Sequence, residues 1–244
     1  MDNEEQRRAQ IAAGLATVRQ RIADACVSSG RDPETVTLIA VTKTYPAADA
    51  VRLLELGVPD LGESRDQEAA VKAPETEGLL ADAGNPARPR WHFVGQLQRR
   101  KAKSVASYAS AVHSVDRMSL VTALGDAVAQ RDRGPLDVFV QVSLDGDPAR
   151  GGVTERDLRA VIDAVAERAE LRLRGVMAVA PMEADPERAF ADLGEVSGRV
   201  VQWYPHADAI SAGMSGDLEA AIRNGATHVR VGTALLGRRA KVFD

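Results

Sequence analysis

The sequence contains little of three features that would each point to a particular class of protein. It has one cysteine, Cys26, so an internal disulfide is excluded and a reducing compartment is expected. No apolar run approaches the ~20 residues that a membrane-spanning helix needs. Residues 1–8 are polar and mixed in charge, unlike a signal peptide. The sequence therefore predicts a cytoplasmic protein without a membrane segment.

Charge of one sign and aromatic side chains are also scarce. The 31 basic and 35 acidic residues give a net charge of −4, and no cluster of Lys and Arg predicts a nucleic-acid or membrane surface. We therefore expect a small-molecule ligand. Aromatic residues make up 4% of the chain, so the core must be built from branched aliphatic residues and alanine. That composition suits the interior of a parallel β-barrel.

What the chain does contain is a strand-then-helix pattern that recurs along its length. After a helix predicted within residues 4–28, apolar runs predict eight strands centred on Ala40, Leu61, Phe93, Val112, Val140, Val176, Ile210 and Val229. This pattern predicts an α/β fold, a single (β/α)8 TIM-type barrel domain over residues 1–244 with an extra N-terminal helix. An open doubly wound sheet is the alternative. Residues 73–90, with three prolines and two glycines, predict a long surface loop.

Lys43 follows the first predicted strand, at the end of a barrel strand where reactive groups belong. Burial there would lower the pKa of its amine by disfavouring the ammonium form, and a neutral amine forms Schiff bases with aldehydes. The alternative is a lysine that extends into solvent and pairs with a carboxylate such as Glu63. Only its neighbours can decide between the two.

Two glycine-bearing turns follow the seventh and eighth predicted strands. Residues 213–216 (GMSG) and 231–234 (VGTA) each lead into a predicted helix. Their backbone N–H groups, with the hydroxyls of Ser215 and Thr233, are therefore expected at helix N-termini. Barrels frequently bind phosphate in the loops after these two strands, and Gly232 would let an anion approach the backbone. The turns predict a phosphate site, with ordinary helix-capping turns as the alternative.

The other candidate residues have ordinary structural explanations. His92 and His113 each lie within an apolar strand, where a hydrogen-bonded core histidine is expected and a catalytic histidine is the alternative. No pair of histidines has metal-ligand spacing, and no metal is predicted. Residues 99–103 (RRKAK) predict a solvated helical face, with an anion or partner site as the alternative.

Six segments of the chain, in order, resemble those of the pyridoxal phosphate homeostasis protein family, which are single-barrel relatives of the alanine racemase N-terminal domain. They are residues 38–44 (LIAVTKT), 61–68 (LGESRDQE), 91–98 (WHFVGQLQ), 113–116 (HSVD), 213–217 (GMSGD) and 229–237 (VRVGTALLG). The match spans nearly the whole chain. It departs from the usual family residues at Ser64 and Arg100, where Asn is common, and at Ala212, where Met is common.

The resemblance implies that the chain binds pyridoxal 5′-phosphate (PLP) as a Schiff base on Lys43. The predicted cofactor-binding residues are Lys43, Ser64, Met214, Ser215, Arg230, Gly232 and Thr233. The alternation of residues 229–231 allows the Arg230 side chain to point into the barrel or outward to an Asp or Glu. The resemblance implies that Arg230 lies at the ring nitrogen and that the last turns surround the phosphate. Because an arginine keeps its proton, the ring nitrogen would stay unprotonated and the ring would be a weak electron sink.

Racemases and decarboxylases of this barrel type carry a further β-domain that supplies a second acid/base group. This chain is expected to lack one, because it ends at Asp244, soon after Thr233. The first hypothesis is therefore a carrier that buffers PLP in vitamin B6 homeostasis and passes it transiently to apo-enzymes, as a cytoplasmic monomer. The alternatives are a slow racemase or lyase with Lys43 as its only base, and an aldolase-type barrel in which Lys43 attacks a sugar phosphate.

Overall fold

The computed structural model describes residues 3–237, in which eight parallel strands close into a barrel. The strands are Thr37–Val41 (β1), Asp60–Glu63 (β2), Arg90–Phe93 (β3), Ala111–Val115 (β4), Leu136–Gln141 (β5), Leu171–Met177 (β6), Ala209–Ser211 (β7) and His228–Val231 (β8). Each strand pairs with the next, and β8 pairs with β1, where Val229 is in register with Leu38. The predicted barrel is confirmed, with every predicted strand centre in its strand. The open-sheet alternative is wrong.

Helices alternate with the strands around the outside of the barrel. They are Asn3–Ser28 (α1), Ala47–Glu55 (α2), Asp66–Asp82 (α3), Ala102–Tyr108 (α4), Met118–Val128 (α5), Glu155–Ala166 (α6), Pro186–Trp203 (α7), Leu218–Arg223 (α8) and Thr233–Leu236 (α9). Short 3₁₀ turns at Pro33–Thr35, Arg99–Lys101 and Pro148–Arg150 complete the connections. Within residues 3–237, no helix combines the length and the apolar content needed to cross a membrane.

The extra helix α1 packs across the last helices of the barrel. Its buried positions Ile11, Leu15, Val18 and Ile22 recur at three and four residues and form one apolar face. That face contacts α8 and α9. A Cβ atom on Gly14 would lie 2.3 Å from the carbonyl oxygen of Leu235, so this close approach requires glycine. The helix thereby stabilises the segment that follows β8.

The predicted loop over residues 73–90 is wrong for its first half. Helix α3 continues to Asp82 with Pro74 inside it, and only residues 83–89 form a loop. Ala73, Thr76 and Leu80 are buried on the inner face of this helix. Their burial outweighs the single backbone hydrogen bond that a proline removes. This helix matters for the site, because it carries Lys72.

Candidate functional site

The carboxyl ends of β1, β2, β7 and β8 meet at one end of the barrel. Strand β1 lies between β8 and β2, with Ala40 in register with Val231 on one side and Leu61 on the other. Lys43, Ser64 and Gly232 follow these three strands in the chain. The structure therefore brings the predicted amine, the predicted phosphate turn and the first polar residue after β2 to the same end of the barrel.

Lys43 lies in the turn over residues 42–45, beyond the end of β1, and its side chain is exposed. The buried position considered for it is therefore not found. The alternative is found in part: Lys43 extends into solvent, but residues 3–237 contain no ion pair between Lys43 and Glu63, whose carboxylate lies 2.6 Å from Lys72. The amine of Lys43 is instead presented to solvent at the open end of the barrel.

A buried group of charged side chains lies beneath the Lys43 turn. We call Glu63, Glu68 and Lys72 the Lys72 cluster. The ammonium nitrogen of Lys72, on α3, is 2.6 Å from Glu63 Oε1 and 2.8 Å from Glu68 Oε1. It also donates a 2.7 Å hydrogen bond to the backbone carbonyl of Thr42. Burial raises the pKa of Glu63 despite the neighbouring ammonium group.

The Lys72 cluster fixes the backbone on both sides of Lys43. Lys72 holds the carbonyl of Thr42, and a carboxylate oxygen of Glu68 accepts a hydrogen bond from the N–H of Thr44. Thr44 has a φ of 68°, a left-handed conformation that disfavours a β-branched residue by about 1–2 kcal/mol. These contacts compensate for that strain and hold the turn in one conformation. Lys72 was not among the predicted site residues, although its spacing of four residues from Glu68 is typical of an ion pair on a helix.

On the other side of the opening, the turns after β7 and β8 contact each other directly. Ser215 Oγ accepts a 3.3 Å hydrogen bond from the N–H of Ala234. The hydrogen bonds within residues 3–237 leave the N–H groups of Ser215, Gly216, Gly232 and Thr233 without an acceptor. A Cβ atom on Gly232 would lie 3.1 Å from the carbonyl oxygen of Val41, so a side chain there would crowd β1. The two turns thus form a cradle of backbone N–H donors, which is suited to an anion.

The helices behind these turns are shorter than expected for a helix-dipole site. Helix α8 has six residues and α9, in the described part of the chain, has four. A macrodipole needs several aligned turns, so its contribution here is small. Anion binding at this cradle would depend on the individual N–H groups and on the hydroxyls of Ser215 and Thr233. The structure has N–H donors where they were predicted at these turns, and the helices that follow them are short.

Arg230 points into the barrel. It is 5% exposed, and its guanidinium donates to Ser211 Oγ at 2.6 Å and to the carbonyl of Ala178 at 2.9 Å. Burial lowers its pKa to about 10, so the group remains charged at neutral pH. The alternative in which Arg230 points outward to a carboxylate is therefore wrong.

The remaining predicted site residues are Ser64 and Met214. Ser64 is half-buried, and no partner for its hydroxyl is present among residues 3–237. Its backbone is tightly packed, since a Cβ atom on Gly95 would lie 2.1 Å from the carbonyl oxygen of Ser64. Met214 is 40% exposed. Its N–H donates to a carboxylate oxygen of Asp217 at 2.5 Å, which shapes the turn after β7.

His92 and His113 are buried, hydrogen-bonded side chains inside the barrel, which agrees with the ordinary role predicted for them. Their facing ring nitrogens are 2.9 Å apart. His113 also contacts Ser211 Oγ at 2.8 Å, and His92 contacts a carboxylate oxygen of Asp60 at 2.9 Å. Burial lowers the pKa of His113 well below its usual value, so its ring is neutral. Neither Ser211 nor Asp60 was linked to these histidines in the sequence.

Comparisons with known proteins agree with this architecture. The family described as the alanine racemase N-terminal domain matches residues 15–240. A Mycobacterium tuberculosis protein named pyridoxal phosphate homeostasis protein is 45% identical over 243 residues. The match covers 96% of this chain and 94% of that protein.

Two solved structures share the fold. PipY of Synechococcus elongatus, whose structure contains bound PLP, superimposes with a TM-score of 0.77 at 31% identity. The match covers 93% of this chain and 100% of PipY. Alanine racemase of Corynebacterium glutamicum superimposes with a TM-score of 0.64 at 14% identity, over 97% of this chain and 63% of the racemase. The second likeness concerns the fold alone.

Proposed function

The chain belongs to the pyridoxal phosphate homeostasis protein family, and from that membership we propose that it binds, buffers and carries PLP, held as a Schiff base on Lys43. We further propose that it acts as a single-domain monomer in the cytoplasm and passes PLP transiently to PLP-dependent apo-enzymes. The observation that carries the proposal is the cradle of N–H donors, which lies at the same end of the barrel as Lys43.

The side chains at this end of the barrel fit PLP. A phosphate needs several N–H or hydroxyl donors, and the cradle offers them from Ser215, Gly232 and Thr233. PLP would supply an aldehyde, to which the nitrogen of Lys43 adds with loss of water to give a C=N bond. Met214 and Ser64 flank the opening and complete the assignment.

The exposure of Lys43 supports a carrier. An amine that solvent reaches can capture an aldehyde at the barrel opening, and water can reach the resulting bond to reverse it. The Lys72 cluster holds the turn on both sides of Lys43, so this exposure does not depend on a loose backbone. Reversible capture at a fixed position is what a buffer of PLP requires.

Arg230 supports the same assignment. We assign it to the ring nitrogen of PLP, where it acts only as a donor because a guanidinium that titrates near pH 10 stays protonated at neutral pH. A ring nitrogen that faces this cation would not take up a proton. The ring would then withdraw electrons weakly, which disfavours the carbanion chemistry of a racemase or lyase.

The test of the attachment site is the absorbance of the protein with PLP. The wild-type chain should show the absorbance band of a Schiff base, and Lys43→Ala should abolish it. Lys103→Ala, which removes an exposed lysine on α4, is the matched control and should keep the band. Borohydride reduction followed by peptide mass spectrometry should place the label on Lys43. A band that survives Lys43→Ala would refute the assignment.

The carrier hypothesis is tested by comparing the delivery of PLP to an apo-enzyme with the turnover of amino acids. The PLP-loaded protein should activate a PLP-dependent apo-enzyme, while a panel of amino acids in heavy water should show no α-proton exchange at enzyme-like rates. Exchange that depends on Lys43 and reaches rates of about 1 s⁻¹ or more would identify an enzyme instead.

A further inference from the structure

A chain of hydrogen bonds crosses the interior of the barrel from one end to the other. It runs from Arg230 through Ser211, His113 and His92 to Asp60, with contact distances of 2.6, 2.8, 2.9 and 2.9 Å in that order. All five side chains are buried. The five residues come from β8, β7, β4, β3 and β2. We call them the barrel relay.

The two ends of the barrel relay lie in different surroundings. Arg230 is near the opening that carries the proposed PLP site, whereas Asp60 is the first residue of β2 and lies at the opposite end of the barrel. Asp60 lines a cavity of about 470 Å³ together with Arg90, which contacts its second oxygen at 2.5 Å. The relay therefore connects the PLP end of the barrel to a pocket at the far end.

The protons along the barrel relay are determined by its two ends. Arg230 can only donate. Burial favours the neutral form of Asp60, but hydrogen bonds from His92 and Arg90 outweigh it and lower the pKa of this carboxyl, which therefore only accepts. The simplest arrangement keeps both rings neutral, with each intermediate group accepting from the Arg230 side and donating toward Asp60. It places one proton on Nε2 of His113 and one on Nε2 of His92.

The two rings can also be protonated in other ways, and the partners of Ser211 favour the arrangement above. The ring of His113 stacks on Phe139 at a centroid distance of 4.2 Å, which holds its two nitrogens toward Ser211 and His92. Two other arrangements also use every contact: a cationic His92 with the proton of His113 on Nδ1, and a cationic His113. Burial lowers the pKa of His113 well below its usual value, which disfavours the second of these. In the arrangement with a cationic His92, Ser211 Oγ would accept from both Arg230 and His113, and the hydrogen bonds of residues 3–237 give its own buried proton no acceptor.

We propose that the barrel relay positions Arg230 for PLP, with both histidines as neutral Nε2–H tautomers. Asp60, through the histidines and Ser211, would polarise the guanidinium and fix its orientation, while the carbonyl of Ala178 anchors the other nitrogen. Asp60 and the histidines are then positioning residues that act on a ligand they do not touch. The effect on PLP rests on the function proposed above, whereas the tautomers do not.

The first test is nuclear magnetic resonance of the full chain labelled with ¹⁵N-histidine, without PLP. The wild-type spectra should show His92 and His113 as neutral rings with the proton on Nε2. Ser211→Ala should shift the Nδ1 resonance of His113, and Ser211→Thr, which keeps the hydroxyl, should restore it. A proton on Nδ1 of His113 would overturn the proposal whether or not the protein binds PLP.

The second test measures the effect on PLP at a distance. Ser211→Ala should raise the Kd for PLP about tenfold and Ser211→Thr should rescue it, as expected for the loss of one hydrogen bond to a charged group. Asp60→Asn should raise the Kd about threefold and shift the absorbance titration of the Schiff base. The matched control is Asp137→Asn, which neutralises a carboxylate paired with Arg172 at the same end of the barrel but outside the relay.

The outcomes separate the two proposals. A wild-type chain that shows no Schiff-base band contradicts the proposed function and leaves the tautomer test to decide the relay. If the wild-type chain binds PLP and Asp60→Asn behaves as Asp137→Asn does, the long-range role of the relay is refuted. Should Asp60→Asn fail to fold, His92→Gln replaces it, and its Kd must rise as well.

Discussion

On the β1–β2 side of the barrel opening, three charged side chains are packed beneath the turn that carries Lys43. The β7–β8 side instead presents backbone N–H groups, two hydroxyls and glycines. The first side uses ions to fix the backbone around Lys43. The second uses the backbone itself to offer donors for an anion. The contrast is that the buried ions of the β1–β2 side position a backbone, whereas the phosphate contacts proposed for the β7–β8 side come from uncharged groups.

The two sides should also fail in different ways. A buried ion pair depends on both partners, since removal of one leaves an uncompensated charge. A cradle of N–H groups has no such dependence, but it tolerates no added volume where glycine adopts a left-handed conformation. Substitutions on the first side should therefore reduce stability most, and conservative substitutions on the second side should mainly reduce affinity for PLP.

The largest effect should come from Lys72→Met. The variant leaves the buried Glu63 carboxylate without its cation, and the free energy of unfolding should fall by about 3–5 kcal/mol. Urea denaturation at pH 7 measures the change. Lys103→Met is the matched control, since that lysine is exposed, and it should change the stability by less than about 0.5 kcal/mol. Equal stabilities of the two variants would contradict the assigned role of the Lys72 cluster.

Acid should act through His228, the first residue of β8, at the end of the barrel away from the opening. Burial lowers the pKa of His228 from 6.5 to about 4. Between these values the unfolded chain binds the proton and the folded chain does not, so stability falls as the pH is lowered through this window. The loss from this residue should reach about 3 kcal/mol by pH 4.

The measurement is urea denaturation at several pH values between 7 and 4. His228→Gln should flatten the decline in stability below pH 6.5. His206→Gln, which replaces an exposed histidine, should leave the decline unchanged. If both variants follow the wild-type profile, the acid sensitivity has another origin than His228.

A smaller loss is expected when glycine is replaced in the turn after β7. Gly213 has a φ of 88°, and an added Cβ would lie 2.7 Å from the Cβ of Ala221. Gly213→Ala should therefore cost about 1–2 kcal/mol from the backbone conformation, and more if the helix cannot shift. Gly216→Ala, where a Cβ meets nothing within 4 Å, is the control for thermal unfolding. A similar melting temperature for both variants would show that the turn adapts.

The sequence predicted the β7–β8 side better than the β1–β2 side, for a physical reason. Glycine and serine turns act through the local backbone, so the segment around Ser215 could be interpreted from its own residues. The Lys72 cluster joins residues from β2 and α3 to the β1 turn, and Pro74 indicated a loop where packing maintains the helix. Contacts between distant elements leave no local pattern, which is also why the barrel relay was not predicted.

The fold itself followed from the sequence because its signal is repeated. Eight apolar runs separated by helical patterns specify a closed parallel barrel even when single boundaries are uncertain. Side-chain direction did not follow in the same way. Alternation allowed Arg230 to face either way, and only the neighbouring Ser211 and Ala178 show that it points inward.

The smallest effect should come from Ser215→Ala, which tests the β7–β8 side of the opening most directly. Its hydroxyl joins the two turns through a 3.3 Å hydrogen bond from Ala234, a long contact whose loss should change the free energy of unfolding by no more than about 1 kcal/mol. The affinity for PLP should fall about fivefold, because one phosphate donor is lost and the turns are no longer joined.

The control for this variant is Ser107→Ala, which removes an exposed hydroxyl on α4 that donates to the carbonyl of Ser104. Absorbance titration with PLP and urea denaturation should be measured on both variants. If Ser215→Ala weakens PLP binding while its stability matches that of Ser107→Ala, the β7–β8 side serves binding, as the comparison of the two sides predicts. A loss of stability without a loss of affinity would instead make Ser215 a structural link, and the donors for an anion would then have to come from the backbone of the two turns alone.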